Sequence, residues 1–307
     1  MNSDAKDGAY SPEDFRAAQK LPESGCEKYL YVKATNMFGM NHLKWALGLH
    51  AQEAFFLRRT LLVSRPMLSP GHNFGRRLDV PWSKYINLKG IFLKIDNARQ
   101  PVKVKRLEEV DPKGLSVLNI TNDHRVLRGE NEAYDLIVRD DPDGLSRGKD
   151  RFYDSVKWPC DIWSSSEIER IAAGVKAKLE DYTAVHVRRG DKLHLKEWKE
   201  KHPNLERDTQ PLQIIETLRR ILPTANRIYI LTNETDRNFF DPLRQVFDVF
   251  QYFDFPELRC IVEDECPDNH FLYEIEKRLF SQARDKIFTF ADREGKRLSL
   301  TRDIGTT

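Results

Sequence analysis

The sequence predicts an α/β protein built as two domains, each a parallel sheet flanked by helices, and three observations predict it. A strand–turn–helix–strand unit occupies residues 29–63, a second run of alternating strands and helices occupies residues 164–290, and 307 residues leave room for two domains of roughly 100–200 residues. The expected division is a polar lead-in over 1–27, a first domain over 28–163 and a second over 164–307.

Composition narrows the classes of function. Hydrophobic residues make up 40% and charged residues 32% of the chain, a globular balance. Fifty Lys and Arg against 48 Asp and Glu give a formal charge of +2, too balanced for a duplex nucleic-acid binder, so any anionic ligand must be held locally. No apolar run approaches the 18 or more residues of a membrane span, and the polar start MNSDAKDGAYSPEDF has no signal-peptide core. Cysteines at 26, 160, 260 and 266 read as buried or free thiols, although Cys260 and Cys266 could close a small loop. Two sequons, Asn119-Ile120-Thr121 and Asn233-Glu234-Thr235, matter only in a secretory protein.

The lead-in contains Pro12, Pro22 and Gly25 and allows one short helix near Pro12 to Lys20. Tyr29-Leu30-Tyr31-Val32 has strand composition. The turn TNMFGMNH follows, and Leu43, Ala46, Leu47, His50, Ala51, Ala54 and Phe55 then recur at helical spacing before the strand Thr60-Leu61-Leu62-Val63. This is a β-α-β crossover, which joins parallel strands. Residues 64–89, rich in Pro, Gly and Arg, read as a long surface excursion, and Ile91–Ile95, Val102–Lys105 and Ser116–Ile120 as further strands.

The break between Pro159 and Ser166 opens the second domain. Ser164-Ser165-Ser166-Glu167 starts a helix whose Ile168, Ile171, Ala172, Val175 and Leu179 share one face. There follow the strand Thr183–Val187, a polar loop, a helix over 211–222, the strand Arg227–Leu231, a helix over 236–245, the strand Val249–Phe253, a helix over 269–283 and the strand Lys286–Phe290. Two such halves facing across a cleft place a ligand at the carboxyl ends of the strands.

The segment AVHVRRGDKL, residues 184–193, sends Arg188, Arg189, Gly190, Asp191 and Lys192 out of a strand's carboxyl end. Guanidinium groups present paired donors that match phosphate oxygens, each charge-assisted bond contributing about 1.5–3 kcal/mol. Asp191 can pair one arginine, and Gly190 lets the backbone turn sharply. The plain alternative is a solvated basic turn with weak surface ion pairs. Arg189-Gly190-Asp191 also matches a three-residue adhesion motif, displayed on an exposed loop.

The glycine turn NMFGMNHLKW sets Phe38 and Gly39 between strand and helix, so that helix-initial amides with Asn41 and His42 could face an anion or a polar acceptor. A plain turn with a helix-capping Asn is the alternative. It lacks G-x-G-x-x-G, and no G-x-x-x-x-G-K-[ST] occurs, which excludes dinucleotide and P-loop signatures. Near the far end, Asp268-Asn269 caps a helix carrying Glu274, and the last strand ends in Thr289-Phe290, where a hydroxyl and amides could hold a phosphate or base.

Together these three places resemble the GDP-fucose-dependent fucosyltransferases: the protein O-fucosyltransferases, the plant O-fucosyltransferase-like proteins and, more distantly, the α1,6-fucosyltransferases. His186, Arg188, Arg189 and Asp191 fill a motif that looks like H-x-R-R-x-D. Gly39-Met40-Asn41-His42 with Arg59-Thr60-Leu61-Leu62 is similar to the family's glycine turn, helix and R-T-L strand, and Thr289-Phe290 to its final T-F. The resemblance runs from about residue 29 to 305. It implies two Rossmann-like domains in a GT-B-like arrangement, the first on the acceptor side and the second binding the nucleotide sugar, with inverting transfer and no obligatory metal or other cofactor. The absence of a D-x-D triplet agrees with that; Asp140, Asp141 and Asp143 sit in the turn-like RDDPDG.

The resemblance implies Phe38, Gly39, Asn41, His186, Arg188, Arg189, Asp191, Asp268, Thr289 and Phe290 as nucleotide-sugar contacts. Arg188 would stabilise the leaving diphosphate with Arg189 supporting, and Asn41 and His42 would complete the catalytic set, His42 as general base. Some relatives carry a glutamate in the glycine turn, and the α1,6 enzymes carry one after the arginine motif, where this chain reads LHLKEWKE with Glu197 out of register. A catalytically silent nucleotide-sugar binder, and a rhamnosyltransferase using another donor, are the alternatives. The partners expected are a nucleotide sugar and a protein or polysaccharide acceptor, the acceptor read by residues 64–89, where Trp82 and Tyr85 either stack on sugar rings or belong to the core. Such enzymes work in the Golgi or endoplasmic reticulum; the expectation is that secretory location if the chain has been trimmed from a longer one, and a soluble intracellular one otherwise.

Overall fold

The computed structural model describes residues 26–33, 37–95, 97–121, 124–140 and 159–289. The helix expected near 12–20, Asp141, Asp143 and Phe290 lie outside the described residues. The chain divides into two compact units, residues 1–166 and 167–307, against an expected boundary between 163 and 164.

The first unit opens with strand β1 (Tyr29–Lys33), the helix Met40–Phe56 and strand β2 (Thr60–Val63), and β1 pairs with β2 in parallel. The helix buries Leu43, Ala46, Leu47, His50, Ala51 and Ala54, six of the residues its three- and four-residue spacing marked out, whereas Phe55 is half-buried. Strands β3 (Ile86–Ile95), β4 (Ala98–Pro101), β5 (Val104–Arg106), β6 (Val117–Ile120), β7 (Leu136–Asp140) and β8 (Cys160–Ser164) follow. The main sheet is wholly parallel in the order β5-β2-β1-β7-β6, and a second, antiparallel sheet runs β4-β3-β8.

Two buried arginines bind the parallel sheet together. Arg59, from the segment likened to an R-T-L strand, donates to the carbonyls of Tyr29 (2.9 Å), Asp135 (3.1 Å) and Tyr134 (2.7 Å) and to Asn131 Oδ1 (2.6 Å), so it staples β1 to the turn that feeds β7. Arg139 on β7 pairs with Glu53 of the helix, both buried, and its Nη1 donates to the Thr121 carbonyl at 2.8 Å. A buried guanidinium meets its desolvation cost only when its donors are used in this way.

The second unit contains the helix Ser166–Leu179, β9 (Thr183–Val187), a 3-10 turn (Gly190–Leu193), short helices Lys196–Lys201 and Leu205–Asp208, and the helix Pro211–Ile221. β10 (Arg227–Thr232), the single turn Asp241–Arg244, β11 (Asp248–Phe250), helices Pro256–Glu263 and Asn269–Gln282, and β12 (Asp285–Phe288) complete it. All four strands are parallel in the order β11-β10-β9-β12. Val185, Val187, Ile228, Ile230, Val249 and Ile287 point to one face and pack on Ile214, Leu218, Phe240 and Leu243. Period two in the strands and period 3.6 in the helix thus meet in one core.

Both parallel sheets have strands added on either side of their first strand. In the second unit the chain steps outward from β9 to β10 and β11, then returns to place β12 on the other side of β9; in the first, β2 and β5 lie on one side of β1, and β7 and β6 on the other. Where strand order reverses, the connections at the carboxyl ends diverge and leave a crevice, the usual ligand position in open α/β sheets.

Candidate functional site

The arginine turn emerges at the reversal point of the second unit. Arg188 follows the last residue of β9, and Thr289 follows the last residue of β12, on the neighbouring strand. The Arg188 amide donates to Thr289 Oγ1 at 3.3 Å, while Thr289 donates its hydroxyl (3.1 Å) and its amide (3.2 Å) to the His186 carbonyl. Thr289 is 2% exposed. Its hydroxyl is engaged with the backbone of β9 and holds the Arg188 amide.

Arg188 is half-buried, whereas Arg189 is 6% exposed. Arg189 Nε donates to Glu234 Oε2 (3.1 Å), and Nη1 donates to Thr209 Oγ1 (2.6 Å) and the Glu206 carbonyl (3.2 Å). Its guanidinium carbon also lies 4.4 Å from the Phe239 ring centroid, within cation–π range. These contacts commit Arg189 to the protein, so the two arginines that look equivalent in sequence differ in role. Arg189-Gly190-Asp191 is not displayed as an adhesion loop, because its first side chain is buried. Lys192 Nζ lies 4.2 Å from the Trp198 ring centroid.

His186 belongs to the sheet face rather than to its rim. Its ring meets Phe288 (5.7 Å, perpendicular) and Phe280 (6.4 Å) edge-on. Burial, reinforced by the Arg188 charge, holds its imidazole down to about 4, so it is neutral at neutral pH. Its ring contacts thus lie with the aromatic side chains of the helix Asn269–Gln282 and of β12.

Asp268 caps the helix Asn269–Gln282, accepting the Phe271 amide at 2.9 Å, as expected; at 2% exposure its carboxylate is a buried cap rather than a ligand-facing group. Glu274 is likewise buried on that helix. Asp191 lies in the 3-10 turn Gly190–Leu193.

In the first unit the chain leaves β1 and reaches the Phe38–Gly39 turn, where Phe38 bridges Leu68 in parallel: the Phe38 amide donates to Met67 O (3.0 Å) and the Ser69 amide to Phe38 O (2.9 Å). Gly39 is the helix N-cap, with no side-chain cap, so the alternative of a helix-capping Asn does not hold. Its φ of −68° is open to any residue; a Cβ there would come within 3.3 Å of the exposed His72 ring, so a side chain requires that ring to give way. Asn41 and His42 are exposed on the first helical turn, His42 with its ring 6.1 Å edge-on to Phe38. Trp82 and Tyr85 are 8% and 0% exposed, which places them in the core and removes them as sugar-stacking residues.

The four cysteines are free, and among the described residues no group of three His, Cys, Asp or Glu side chains could hold a metal ion. No described helix is long and apolar enough to cross a membrane.

No protein-family model and no curated protein matches the chain. Among solved structures it is similar to POFUT1 in complex with GDP-fucose, with a TM-score of 0.42 and 12% identity over 84% of this chain and 95% of that one. It is similar also to NodZ alpha-1,6-fucosyltransferase co-crystallised with GDP (TM-score 0.45, 14% identity, 87% and 89% covered) and to fucosyltransferase NodZ from Bradyrhizobium (0.41, 12%, 90% and 98%). At such identities no residue role passes from those proteins to this chain.

Sequence reasoning missed Glu234, Thr209 and His72. Glu234 lay hidden in a sequon, Thr209 in a stretch read as loop, and His72 in an excursion with no periodicity. A buried arginine demands a carboxylate somewhere, but nothing in the spacing says where.

Proposed function

We propose that the chain is an inverting, metal-independent glycosyltransferase that moves fucose from GDP-fucose to a hydroxyl of a protein or glycan. The observation that carries this is the placing of Arg188 at the carboxyl end of β9, at the strand-order reversal, with its backbone held by Thr289. That is where an open parallel sheet binds its ligand, and the side chain there is the one best suited to a diphosphate. The donor's identity comes from the resemblance of the H-x-R-R-x-D segment and its two companion motifs to GDP-fucose-dependent enzymes.

In the reaction the bond from the sugar's anomeric carbon to the β-phosphate oxygen breaks, and negative charge grows on the departing GDP. Arg188 neutralises that charge, an electrostatic contribution that strengthens as the bond stretches. The acceptor oxygen attacks the opposite face of the anomeric carbon and gives up its proton. His42 is the proposed acceptor of that proton, with Asn41 beside it on the same helical turn to hydrogen-bond the substrate. Thr289 holds the Arg188 backbone, and Arg189 anchors the turn to Glu234 and Thr209.

One observation favours a second reading, a silent nucleotide-sugar binder. The glycine turn has no carboxylate, and Glu197, the acid after the arginine motif, is exposed on the helix Lys196–Lys201. Calorimetry with GDP, GDP-fucose, UDP and UDP-rhamnose, joined to an assay for GDP release, tests both. Binding of the guanine nucleotides with release of GDP supports transfer; binding without release supports the silent relative; failure of every nucleotide to bind rejects both readings.

A further inference from the structure

We propose that the sequon Asn233-Glu234-Thr235 is a mould for the arginine turn, with Asn233 and Glu234 acting as positioning residues for Arg188. The proposal rests on the nucleotide-binding reading above and goes beyond it by assigning a segment of a different strand end.

The backbone on either side of Arg188 is tied to both neighbouring strands. On one side Thr289, beyond β12, accepts the Arg188 amide; on the other Asn233, beyond β10, accepts the Arg189 amide through Oδ1 at 2.9 Å. Two consecutive amides are thus fixed to opposite flanks of β9, which leaves the peptide between them little freedom. Gly190 then adopts a φ of +37°, and a Cβ on it would overlap the Asn233 side-chain amide and reach its Cγ at 2.9 Å. The glycine and the asparagine fit together as a pair, since neither tolerates a bulkier partner.

Glu234 supplies the charge. Its Oε2 accepts Arg189 Nε at 3.1 Å, and its Oε1 accepts the Thr235 amide (2.8 Å) and the Asp236 amide (3.2 Å). Burial pushes the carboxyl up, but the Asp236 amide, the Arg189 guanidinium and the Thr235 amide outweigh it and hold Glu234 below the usual carboxylate range. The segment is itself registered on β9: the Glu234 amide donates to Thr232 Oγ1 (3.0 Å), which donates to the Val187 carbonyl (2.9 Å). Each residue of the tripeptide therefore has a partner that a glycan acceptor would not need, and a glycan on Asn233 would occupy the space of Gly190.

The test compares Asn233→Ala, Glu234→Ala and Glu234→Gln for GDP affinity by calorimetry and for amide hydrogen exchange over residues 188–193. Glu234→Ala and Asn233→Ala are expected to weaken GDP binding roughly tenfold, equivalent to ~1.4 kcal/mol, and to speed exchange in the turn. Glu234→Gln keeps one acceptor oxygen, enough for either Arg189 or the two backbone amides but not both, and is expected to recover only part of each effect. Unchanged exchange and affinity in the two alanine variants would overturn the proposal. If wild type binds no GDP, the nucleotide reading fails while exchange alone decides the mould. Should Glu234→Ala fail to fold, Asn233→Ser and Glu234→Gln carry the comparison. A glycopeptide at Asn233 in folded protein secreted from a glycosylating host would also overturn it.

Discussion

The amide of Arg188 is bound by the hydroxyl of Thr289, and the same hydroxyl is bound to the carbonyl of His186. One side chain thereby closes the gap between β9 and β12 at the point where the strand order reverses. Thr289→Val keeps the shape and removes both bonds. We expect a loss of about 1–2 kcal/mol of stability and a several-fold weaker GDP affinity, with Thr289→Ser near wild type; denaturant unfolding and calorimetry check the two effects.

Arg189 should behave as a structural residue. Arg189→Ala leaves Glu234, its side chain 17% exposed, without its cation, and breaking a buried pair costs roughly 3 kcal/mol. Arg189→Lys keeps the charge but loses the fork that reaches Glu234, Thr209 and Glu206 together, so an intermediate loss is expected. Thermal unfolding of the two variants beside Arg188→Ala checks it: Arg188→Ala should unfold within a degree or two of wild type.

Glu276, buried on the helix Asn269–Gln282, accepts a hydrogen bond from Tyr229 Oη at 3.0 Å. Burial pushes its carboxyl from 4.5 up to about 8, against the opposing effect of that bond. The unfolded chain releases this proton near 4.5 and the folded chain only near 8, so stability falls as pH rises through that window and is level above it. Glu276→Gln should remove this slope and equal or exceed wild type at pH 8, as read from denaturant midpoints across pH.

His186 acts at the other end of the scale. Its folded value of about 4 lies below the usual 6.5, so the unfolded chain takes up a proton first and stability is lost as pH falls from 6.5 towards 4. His186→Phe, set between Phe280 and Phe288, should flatten that acid limb. GDP binding should be retained, because phenylalanine keeps the edge-on packing against Phe280 and Phe288.

Much of this architecture was legible in the sequence. Tyr29–Lys33, Thr60–Val63, Thr183–Val187 and Arg227–Thr232 are buried parallel strands whose apolar runs announce themselves, and helices Met40–Phe56, Ser166–Leu179, Pro211–Ile221 and Asn269–Gln282 show helical period. Strands β7 and β8 were missed because Leu136-Ile137-Val138 is interrupted by the buried Arg139, and Cys160–Ser164 is polar enough to read as a linker. The helix expected over 236–245 shrinks to Asp241–Arg244, and Pro256–Glu263, opened by a proline, was not foreseen. In the candidate site the position of the arginine turn at a strand's carboxyl end was legible, but the division of labour within it was not. Which of two adjacent arginines is buried depends on Glu234, 45 residues away along the chain.

Arg188 as the diphosphate contact is tested most directly by calorimetric titration of GDP into wild type and Arg188→Ala. Loss of a charge-assisted pair of bonds, about 1.5–3 kcal/mol, predicts a Kd raised roughly ten- to hundredfold with unfolding behaviour unchanged. Equal GDP affinity in the two proteins, both folded, would contradict it.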